Sequence, residues 1–347
     1  MSASLHVLSP GPSTTVQDLG RPGYQRFGIP VGGALDSFGL RAANALVGNA
    51  PDVGALEIVY RGPTFLVEAP SVRVAFFGSR ARIVVRRQGI AQEFPTGRSI
   101  RLLAGDVVEV GALAGSSLLY ATVEGGFDIA PLMGGVSTYV RGGVGGWQGR
   151  ALRAGDNLPL ARERVDERDE AAIDDLGLSP PAWLRVVDGP QADHFSDDGI
   201  ATFYGGEYQV GPGADRMGVR LSGAPLRHPR GHDIVSDGIR PGSIQIPGDG
   251  QPIVLRCEHQ TTGGYPKIAT VISADLPALG RLGAGDKIRF KRVTLVEAEA
   301  ARRAYALAVE KLPTRLGPVP RADADLADRL CAANLISGVV HARHDVD

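Results

Sequence analysis

The chain of 347 residues carries 37 basic and 38 acidic side chains, so its formal net charge is −1 and no basic field favours nucleic acid. No apolar stretch has the length of a membrane span and the first residues show no signal peptide, so a cytoplasmic location is expected. Two cysteines, Cys257 and Cys331, exclude a disulfide scaffold. The 47 glycines and 24 prolines favour short strands joined by tight turns.

The first half of the chain predicts strands interrupted by one helix. Asp36 is a suitable N-cap, and Gly48 followed by Asn49 is typical of a helix end, so a helix is predicted between them. Segments rich in β-branched residues and bounded by Gly or Pro predict strands: SVRVAFFG, ARIVVRR, DVVEVGAL and SSLLYATV. Strands this short, with turns this frequent, are typical of closed or nearly closed barrels.

The second half is also predicted to consist of short strands joined by turns, and it ends in a helical tail. Its predicted strands are LRVVD, SIQIP, PIVLRC, KIATVIS and DKIRF. Apolar residues at helical spacing predict two tail helices, one through Ala301, Ala304, Tyr305, Ala308 and Leu312 and one through Leu326, Leu330, Ala333 and Ile336. The predicted organisation is a first β-barrel subdomain with an extension at 1–160, a charged exposed linker at 161–182, a second β-barrel subdomain at 183–295 and the tail at 296–347.

The two halves also share landmarks in one order, at offsets of about 180 residues. VGGALDSFGLR, from Val31, matches VGPGADRMGVR, from Val210. The other matched landmarks are Gly11-Pro12 with Gly189-Pro190, Glu57 with Asp233, and the Ala-Gly-Asp triplets that end at Asp106 and Asp286. We infer an internal duplication. A third Ala-Gly-Asp, at 154–156, does not fit the offset and is interpreted as a favourable turn between strands.

Several common catalytic signatures are missing. The sequence contains no phosphate-binding Gly-x4-Gly-Lys-Ser/Thr loop, no Gly-x-Ser-x-Gly nucleophile elbow and no HExxH zinc motif. His228, His232 and Asp233 lie close enough in sequence to share a metal, but no fourth ligand is evident. They are interpreted as solvated loop residues, so no metal is predicted in this chain.

Two long stretches carry a family resemblance: TTVQDLGRPGYQRFGIPVGGALDSFGLRAANALVGN, from Thr14, and SIQIPGDGQPIVLRCEHQTTGGYPKIATVISADL, from Ser243. They resemble the signature stretches of the biotin-dependent carboxyltransferase family, which includes allophanate hydrolase subunit 2, KipA-type proteins, the C subunit of 5-oxoprolinase and the carboxyltransferase region of urea amidolyase. The resemblance covers about residues 5–295. It implies a mainly β fold of two cyclophilin-like β-barrel subdomains, in agreement with the duplication.

The resemblance implies three functions. In the first, the chain is the C subunit of a bacterial 5-oxoprolinase that opens 5-oxoproline to glutamate with ATP. In the second, it moves a carboxyl group from carboxybiotin to urea or another amide. In the third, it is a KipA-type regulator without turnover. The absence of fused biotin carboxylase and biotin domains favours the first.

The resemblance also implies partners and cofactors. A protein of the subunit 1 or B-subunit (KipI) type is expected as an obligate partner, together with an A-subunit protein in the 5-oxoprolinase. ATP is expected at the level of the complex, and any biotin would be carried by another protein, because no Met-Lys-Met acceptor segment occurs here. Glu258 stands where the family usually has aspartate, and Arg281 where glutamine is common.

The turn HQTTGGY is the main candidate for binding a small amide or lactam. Gly263 and Gly264 allow close approach to the backbone, and polar side chains beside them offer donors and acceptors. The candidate residues are Gln260, Thr261, Thr262, Gly263, Gly264 and Tyr265. The alternative is an ordinary hairpin turn whose threonines cap the backbone.

Other candidates come from charge and position. Lys267 is one of four lysines in an arginine-rich chain and could relay a proton or face an oxyanion, or be an ordinary surface lysine. Asp36 is a possible proton acceptor; the alternative is that it serves as the N-cap of the helix. Arg21 could hold a carboxylate bidentately; the alternative is that it forms an ion pair with Asp18. Gln17 and Asn44 are further binding candidates, although Asn44 lies in the predicted helix near its end.

Overall fold

Strands make up most of the regular secondary structure of the molecule, which a computed structural model describes for residues 3–173 and 176–319. The first half contains β1 (Ser4–Ser9), β2 (Ser13–Gln17), α1 (Ser37–Val47), β3 (Ala55–Val59), β4 (Thr64–Glu68), β5 (Ser71–Arg87), β6 (Ile90–Phe94), β7 (Arg98–Leu103), β8 (Val107–Val123), β9 (Asn157–Pro159) and β10 (Ala171–Ile173).

The second half continues with shorter strands and ends in a helix. It contains β11 (Trp183–Asp188), α2 (Asp197–Gly205), β12 (Tyr208–Val210), β13 (Gly218–Ser222), β14 (Asp237–Gly238), β15 (Ser243–Gln245), β16 (Ile253–Leu255), β17 (Thr262–Gly263), β18 (Lys267–Val271), α3 (Leu276–Gly280), β19 (Lys287–Arg292), α4 (Leu295–Glu310) and β20 (Leu316–Pro318). Short 3-10 helices span Gln25–Phe27, Val140–Gly142, Ala192–His194 and Leu312–Arg315.

An antiparallel sheet of eleven strands forms the first unit. Its main path is β20-β10-β7-β5-β8-β4-β1-β9, while β2 pairs with β3, β3 with β8, and β6 with β5. Alternate residues of these strands point inward, and the apolar ones among them, such as Val7, Ile58 and Leu119, are fully buried. The first unit therefore has a core of its own.

Two long strands, β5 and β8, replace four predicted short ones. They pair along most of their length, with register shifts between Gly78 and Arg80 and between Ala81 and Ile83. Gly78 has a φ of 127°, and a Cβ there would lie 2.9 Å from the carbonyl oxygen of Leu118. The predicted breaks at glycine were wrong because a bulge at glycine bends a strand without ending its pairing.

The second unit is a closed barrel with the strand order β11-β18-β15-β16-β13-β12-β19. It closes through parallel pairing of β11 with β19. An aromatic group fills the barrel: the rings of Phe203 and Phe290 stack at 4.7 Å, and Tyr208 lies against both. The prediction of a mainly β fold with barrel structure is confirmed.

The Ala-Gly-Asp triplets form one kind of turn in all three places. The carboxylates of Asp106, Asp156 and Asp286 each accept a hydrogen bond from the backbone N–H three residues earlier, at 2.8, 2.7 and 2.8 Å. The glycine before each has a φ near 90°: 84°, 89° and 91°. The interpretation of the third triplet as a favourable turn is confirmed.

The proposed landmark pair Glu57 and Asp233 is not structurally equivalent. Glu57 is buried in β3, whereas 75% of the Asp233 side chain is exposed in a loop. In contrast, Asp36 and Asp215 make the same contacts, because each accepts hydrogen bonds from the N–H groups two and three residues later.

The helix, the linker segment and the tail occupy defined places. Asp36 caps α1 and Gly48 ends it with a φ of 77°, which confirms the predicted helix. The segment 161–182, predicted as a linker, includes β10, which pairs with β7 and β20. The first tail helix is α4, and the helix predicted through Leu326 lies outside the described residues. Within those residues, no helix is long and apolar enough to cross a membrane.

Replacement of Asp156 should reveal a pH-dependent contribution to stability. The Arg150 guanidinium, which donates to both Asp156 oxygens at 2.8 and 2.7 Å, lowers the pKa of Asp156 to about 2. Since the pKa is lower in the folded state, the contribution is full above pH 4 and is lost as the pH falls towards 2. We expect Asp156→Asn to lower the free energy of unfolding by about 1–2 kcal/mol at pH 6 and by less at pH 3.

Urea unfolding at both pH values checks this result. The matched control is Asp128→Asn, which replaces an exposed aspartate of the same unit and should change the midpoint little at either pH. An equal loss at pH 6 and pH 3 would contradict the assigned role of Asp156.

Candidate functional site

The first signature stretch includes most of β2 and all of α1, and the loop between them is fixed by Asp18. The Asp18 carboxylate accepts hydrogen bonds from the N–H groups of Gly20 and Val136, at 2.7 and 2.6 Å, and from the Ser137 hydroxyl. Among the described residues no ion pair joins Asp18 to Arg21, so the alternative of an Asp18–Arg21 pair is wrong. Asp18 instead holds two loops of the first unit together.

Arg21 and Gln17 are fully buried and incompletely bonded. Arg21 donates from Nη2 to the Ser137 carbonyl oxygen, while its Nε and Nη1 have no partner among the described residues. Burial lowers the pKa of Arg21, opposed by the charges of Asp18 and Glu258. Gln17 donates to Thr15 and Thr138, but its Oε1 accepts nothing from the described residues. Buried polar atoms without partners are costly, and they indicate a place for a ligand or water.

A buried arginine joins the two units beside this loop. Arg216, at the foot of β13, donates to the carboxylates of Glu57 and Glu258 and to the Gly33 carbonyl oxygen. The exposed fraction of the Arg216 side chain is 14%, and those of Glu57 and Glu258 are 1% and 4%. Gly33 and Glu57 belong to the first unit and Glu258 to the second, so one cation connects both.

Asp36 takes part in the same junction. Its Oδ1 caps α1 through the N–H groups of Phe38 and Gly39, and its Oδ2 accepts from Arg281 Nη1 of the second unit at 2.9 Å. The Asp36 N–H donates to the Tyr120 hydroxyl, which donates to Glu57. Both carboxylate oxygens thus have structural partners, and the capping alternative explains Asp36 better than the predicted role as proton acceptor.

Asn44 also has a structural explanation. Its Nδ2 donates to the Val53 carbonyl oxygen at 2.8 Å, and its Oδ1 accepts from Thr122 and Asn49. It is fully buried between α1 and the sheet. The predicted role of Asn44 in ligand binding is therefore not supported, since its donor and acceptor are occupied by the fold.

The second signature stretch runs from the junction to a short β-ribbon. Thr262 and Gly263 form β17, which pairs with β14, and Thr261 accepts from the Ile239 N–H through its carbonyl oxygen. Thr262 and Tyr265 are exposed, while Thr261, Gly263 and Gly264 are half-buried. The turn therefore lies at the surface of the barrel, within reach of a ligand.

Lys267 is buried rather than a surface lysine. Its side chain is 3% exposed, and its Nζ donates to Asp237 Oδ2 in β14 at 2.9 Å. Asp237 is half-exposed, and its hydrogen bond with Lys267 lowers the pKa of the Asp237 carboxyl. The predicted catalytic lysine thus lies beneath the ribbon, paired with an aspartate that sequence reasoning did not single out.

Gln260, Gln245 and His259 form a buried polar group beside Lys267. Gln260 donates to Gln245 Oε1 at 3.3 Å, while Gln260 Oε1, Gln245 Nε2 and His259 Nε2 have no partner among the described residues. His259 Nδ1 lies 2.6 Å from the Gln260 carbonyl oxygen, which can only accept, so Nδ1 carries the proton. Burial lowers the pKa of His259, which favours the neutral ring. Gln245 was missed because it lies in a strand and carries no turn signal, and His259, at the start of the turn HQTTGGY, was not chosen as a candidate.

Two other features bear on the chemistry. Burial raises the pKa of the Cys257 thiol to about 12, so this cysteine is not a thiolate nucleophile. His228 contacts the Ile246 carbonyl oxygen and His232 contacts Asp233 at the surface. Within the described ranges, no three His, Cys, Asp or Glu residues are grouped to hold a metal ion.

A family comparison covers the second stretch and the part of the first stretch from Phe27 onward. Residues 27–292 match the carboxyltransferase domain, subdomain A and B. The chain belongs to this carboxyltransferase family. Both the ribbon and the Arg216 junction lie within the matched residues.

Relatives of the carboxyltransferase family match the chain over nearly all its length. The C subunit of 5-oxoprolinase from Escherichia coli (strain K12) is 35% identical over 316 residues, which cover 90% of this chain and 98% of that protein. The C subunit of 5-oxoprolinase from Haemophilus influenzae is 33% identical over 89% of this chain and 97% of that protein. The solved structure of K. lactis urea amidolyase matches with a TM-score of 0.81 and 27% identity, over 90% of this chain but 20% of that one.

Removal of the bridging cation should weaken the whole fold. Arg216→Ala leaves Glu57 and Glu258 buried without a counter-charge, so we expect the free energy of unfolding to fall by about 3–5 kcal/mol. Urea unfolding measures the loss. Arg141→Ala is the matched control, because Arg141 also bridges the units, to Asp215 at 3.0 Å, but through side chains that are about half exposed. That control should lose less than about 1 kcal/mol, and equal losses would contradict the role of the buried cation.

Proposed function

We propose that the chain is the C subunit of an ATP-dependent 5-oxoprolinase, which opens the lactam of 5-oxoproline to glutamate. One observation carries this proposal: the match with the Escherichia coli C subunit runs along 98% of that protein. The chain therefore resembles a free-standing subunit, whereas it corresponds to about a fifth of urea amidolyase.

The buried polar atoms support binding of a small amide with a carboxylate. A lactam needs a donor for its carbonyl oxygen and an acceptor for its N–H, and its carboxylate needs a cation. Gln260 and Gln17 each have an oxygen without a partner among residues 3–173 and 176–319, while Arg21 and Lys267 provide cations. The backbone and side chains of the turn, from Thr261 to Tyr265, provide further polar contacts beside them. In this proposal Arg21 and Lys267 hold anionic groups, and Gln260 orients the amide.

We assign ATP and the remaining chemistry to the assembled complex. A B-type (KipI-type) subunit is proposed as the direct partner and an A-type subunit is proposed as the further component. The complex is proposed to be cytoplasmic, where ATP is available. The exposed side chains of Val235 (92%) and Tyr265 (39%), close to the turn, support a partner that covers this face.

A carboxyltransferase is the second candidate function. The similarity to K. lactis urea amidolyase, at a TM-score of 0.81, favours it. In that case a biotin carried by another protein would bring the carboxyl group, and the same buried amides would hold a planar ureido group or an acceptor amide. A KipA-type regulator without turnover is the alternative in which the polar atoms bind without catalysis.

Two variants should separate a functional site from a structural turn. In the complex with its A-type and B-type partners, we expect Arg21→Lys to lower ATP-dependent glutamate release from 5-oxoproline about 10- to 100-fold, because an ammonium lacks the two-pronged guanidinium. Gln260→Ala should lower it about tenfold or more, because an oriented amide is lost. Glutamate release is measured with and without ATP.

The matched control is Arg153→Lys, which replaces an exposed arginine that bonds to Asp156 through its backbone N–H. It should retain full turnover. Carboxylation of urea or another amide from supplied carboxybiotin, without glutamate release, would favour the second candidate. A stable complex that is silent in both assays would favour the regulator.

A further inference from the structure

A minimal β-ribbon covers the buried glutamines. It consists of two residue pairs, Asp237 opposite Gly263 and Gly238 opposite Thr262. Two further backbone bonds flank it, from Ile234 to Gly264 at 2.8 Å and from Ile239 to Thr261 at 3.1 Å. A ribbon this short, largely exposed on β14, has little intrinsic stability of its own.

The ribbon lies directly on the two amides. A Cβ added to Gly263 would lie 2.6 Å from Ile239 Cδ1, 2.7 Å from Gln245 Nε2 and 3.5 Å from Gln260 Nε2. The φ of Gly263 is not in the left-handed region, so its glycine character serves close packing on Gln245 rather than backbone conformation.

Only one of the two possible hydrogen bonds between the Gln260 and Gln245 amides is made. Gln260 Nε2 donates to Gln245 Oε1, but the reciprocal bond from Gln245 Nε2 to Gln260 Oε1 is not made. Both of these atoms are buried and have no partner among the described residues. One free donor and one free acceptor on adjoining amides complement a cis amide, which presents its C=O and N–H side by side, as a lactam ring does.

A cation lies next to the amides. Lys267 is the cross-strand partner of Gln245 in the pairing of β15 with β18, so the two side chains lie on the same face of the sheet. The Lys267 ammonium is buried, whereas its partner Asp237 is 52% exposed and belongs to the ribbon. The carboxylate that neutralises Lys267 is therefore carried by the same element that covers the amides.

We propose that Gln245, Gln260 and Lys267 form a subsite for a lactam bearing a carboxylate, and that Asp237 occupies the position of the ligand carboxylate until the ribbon opens. Gln245 Nε2 donates to the lactam carbonyl oxygen, and Gln260 Oε1 accepts from the lactam N–H. Lys267 binds the carboxylate on the carbon next to that nitrogen. This subsite rests on the proposed function, since 5-oxoproline has these three groups in this order.

The test compares two lactams on the intact complex without ATP. 5-Oxoproline carries the carboxylate and 2-pyrrolidinone lacks it, and calorimetry gives the Kd of each. Asp237→Asn removes the competing carboxylate, so we expect 5-oxoproline to bind about two- to fivefold more tightly, with 2-pyrrolidinone unchanged. Lys267→Gln should abolish the preference for 5-oxoproline. Gly263→Ala should weaken both lactams alike, because its Cβ would clash with both Ile239 and the Gln245 amide and displace them.

Asp233→Asn is the matched control, since Asp233 is an exposed carboxylate of the same loop that faces His232 rather than Lys267. It should change neither Kd. Equal effects of Asp237→Asn and Asp233→Asn, or no change with Asp237→Asn, would overturn the subsite even if the wild-type complex releases glutamate. Selective binding of 5-oxoproline that depends on Lys267, in a complex that never releases glutamate, would overturn the proposed function and support the subsite.

Discussion

One buried cation, Arg216, holds the two units in register. It has carboxylates on two sides, Glu57 from the sheet and Glu258 from the barrel, and a backbone carbonyl oxygen from the loop of Gly33. Removing a charge of this kind from water is costly, and its partners offset that cost when all three are in place. All partners of Arg216 are therefore in place in one arrangement of the two units. Misplacement of either unit leaves a buried charge without a partner.

The position of the candidate site follows from this junction. Glu258, which contacts Arg216, is followed at once by His259 and Gln260, and then by the turn that forms one strand of the ribbon. On the other side, the loop of Arg21 reaches the same place, where Gly32 donates to the Cys257 carbonyl oxygen at 3.0 Å. Residues far apart in sequence thus acquire fixed positions because the ion pairs between the units hold both loops in place.

Local signals in the sequence predict local structure well here. The cap and stop residues of α1, the β-branched strands and the Ala-Gly-Asp turns each depend on neighbours within a few residues, and the structure contains them. The continuity of β5 and β8 was not predictable in this way, because it depends on their pairing with each other although β6 and β7 lie between them in sequence. The alternation typical of strands is also absent from β14 and β17, because each has two residues.

The candidate site also combines features that depend on local sequence with features that depend on distant residues. The composition of the turn made Gln260 and Lys267 candidates, because unusual residue types next to a strand can be seen in sequence. The partner of Lys267 follows from the register of the ribbon. The lack of hydrogen-bond partners for atoms of Gln245 and Arg21, within the part of the chain that the structure describes, follows from their burial. Asn44 is the reverse case, since its residue type suggested binding but both its donor and its acceptor have partners in the fold.

The surroundings of Cys257 make it an internal reporter of unit separation. Its thiol, which is partly exposed, lies against the Gly33 carbonyl oxygen and the Arg216 guanidinium, at 3.5 and 3.4 Å, so opening of the junction would uncover it further. Its raised pKa also suppresses reaction while the junction is closed. In a chain with Cys331 replaced, the rate of thiol labelling would follow the opening equilibrium of the two units. A partner that clamps both units would slow that labelling, and it would do so without contacting the cysteine.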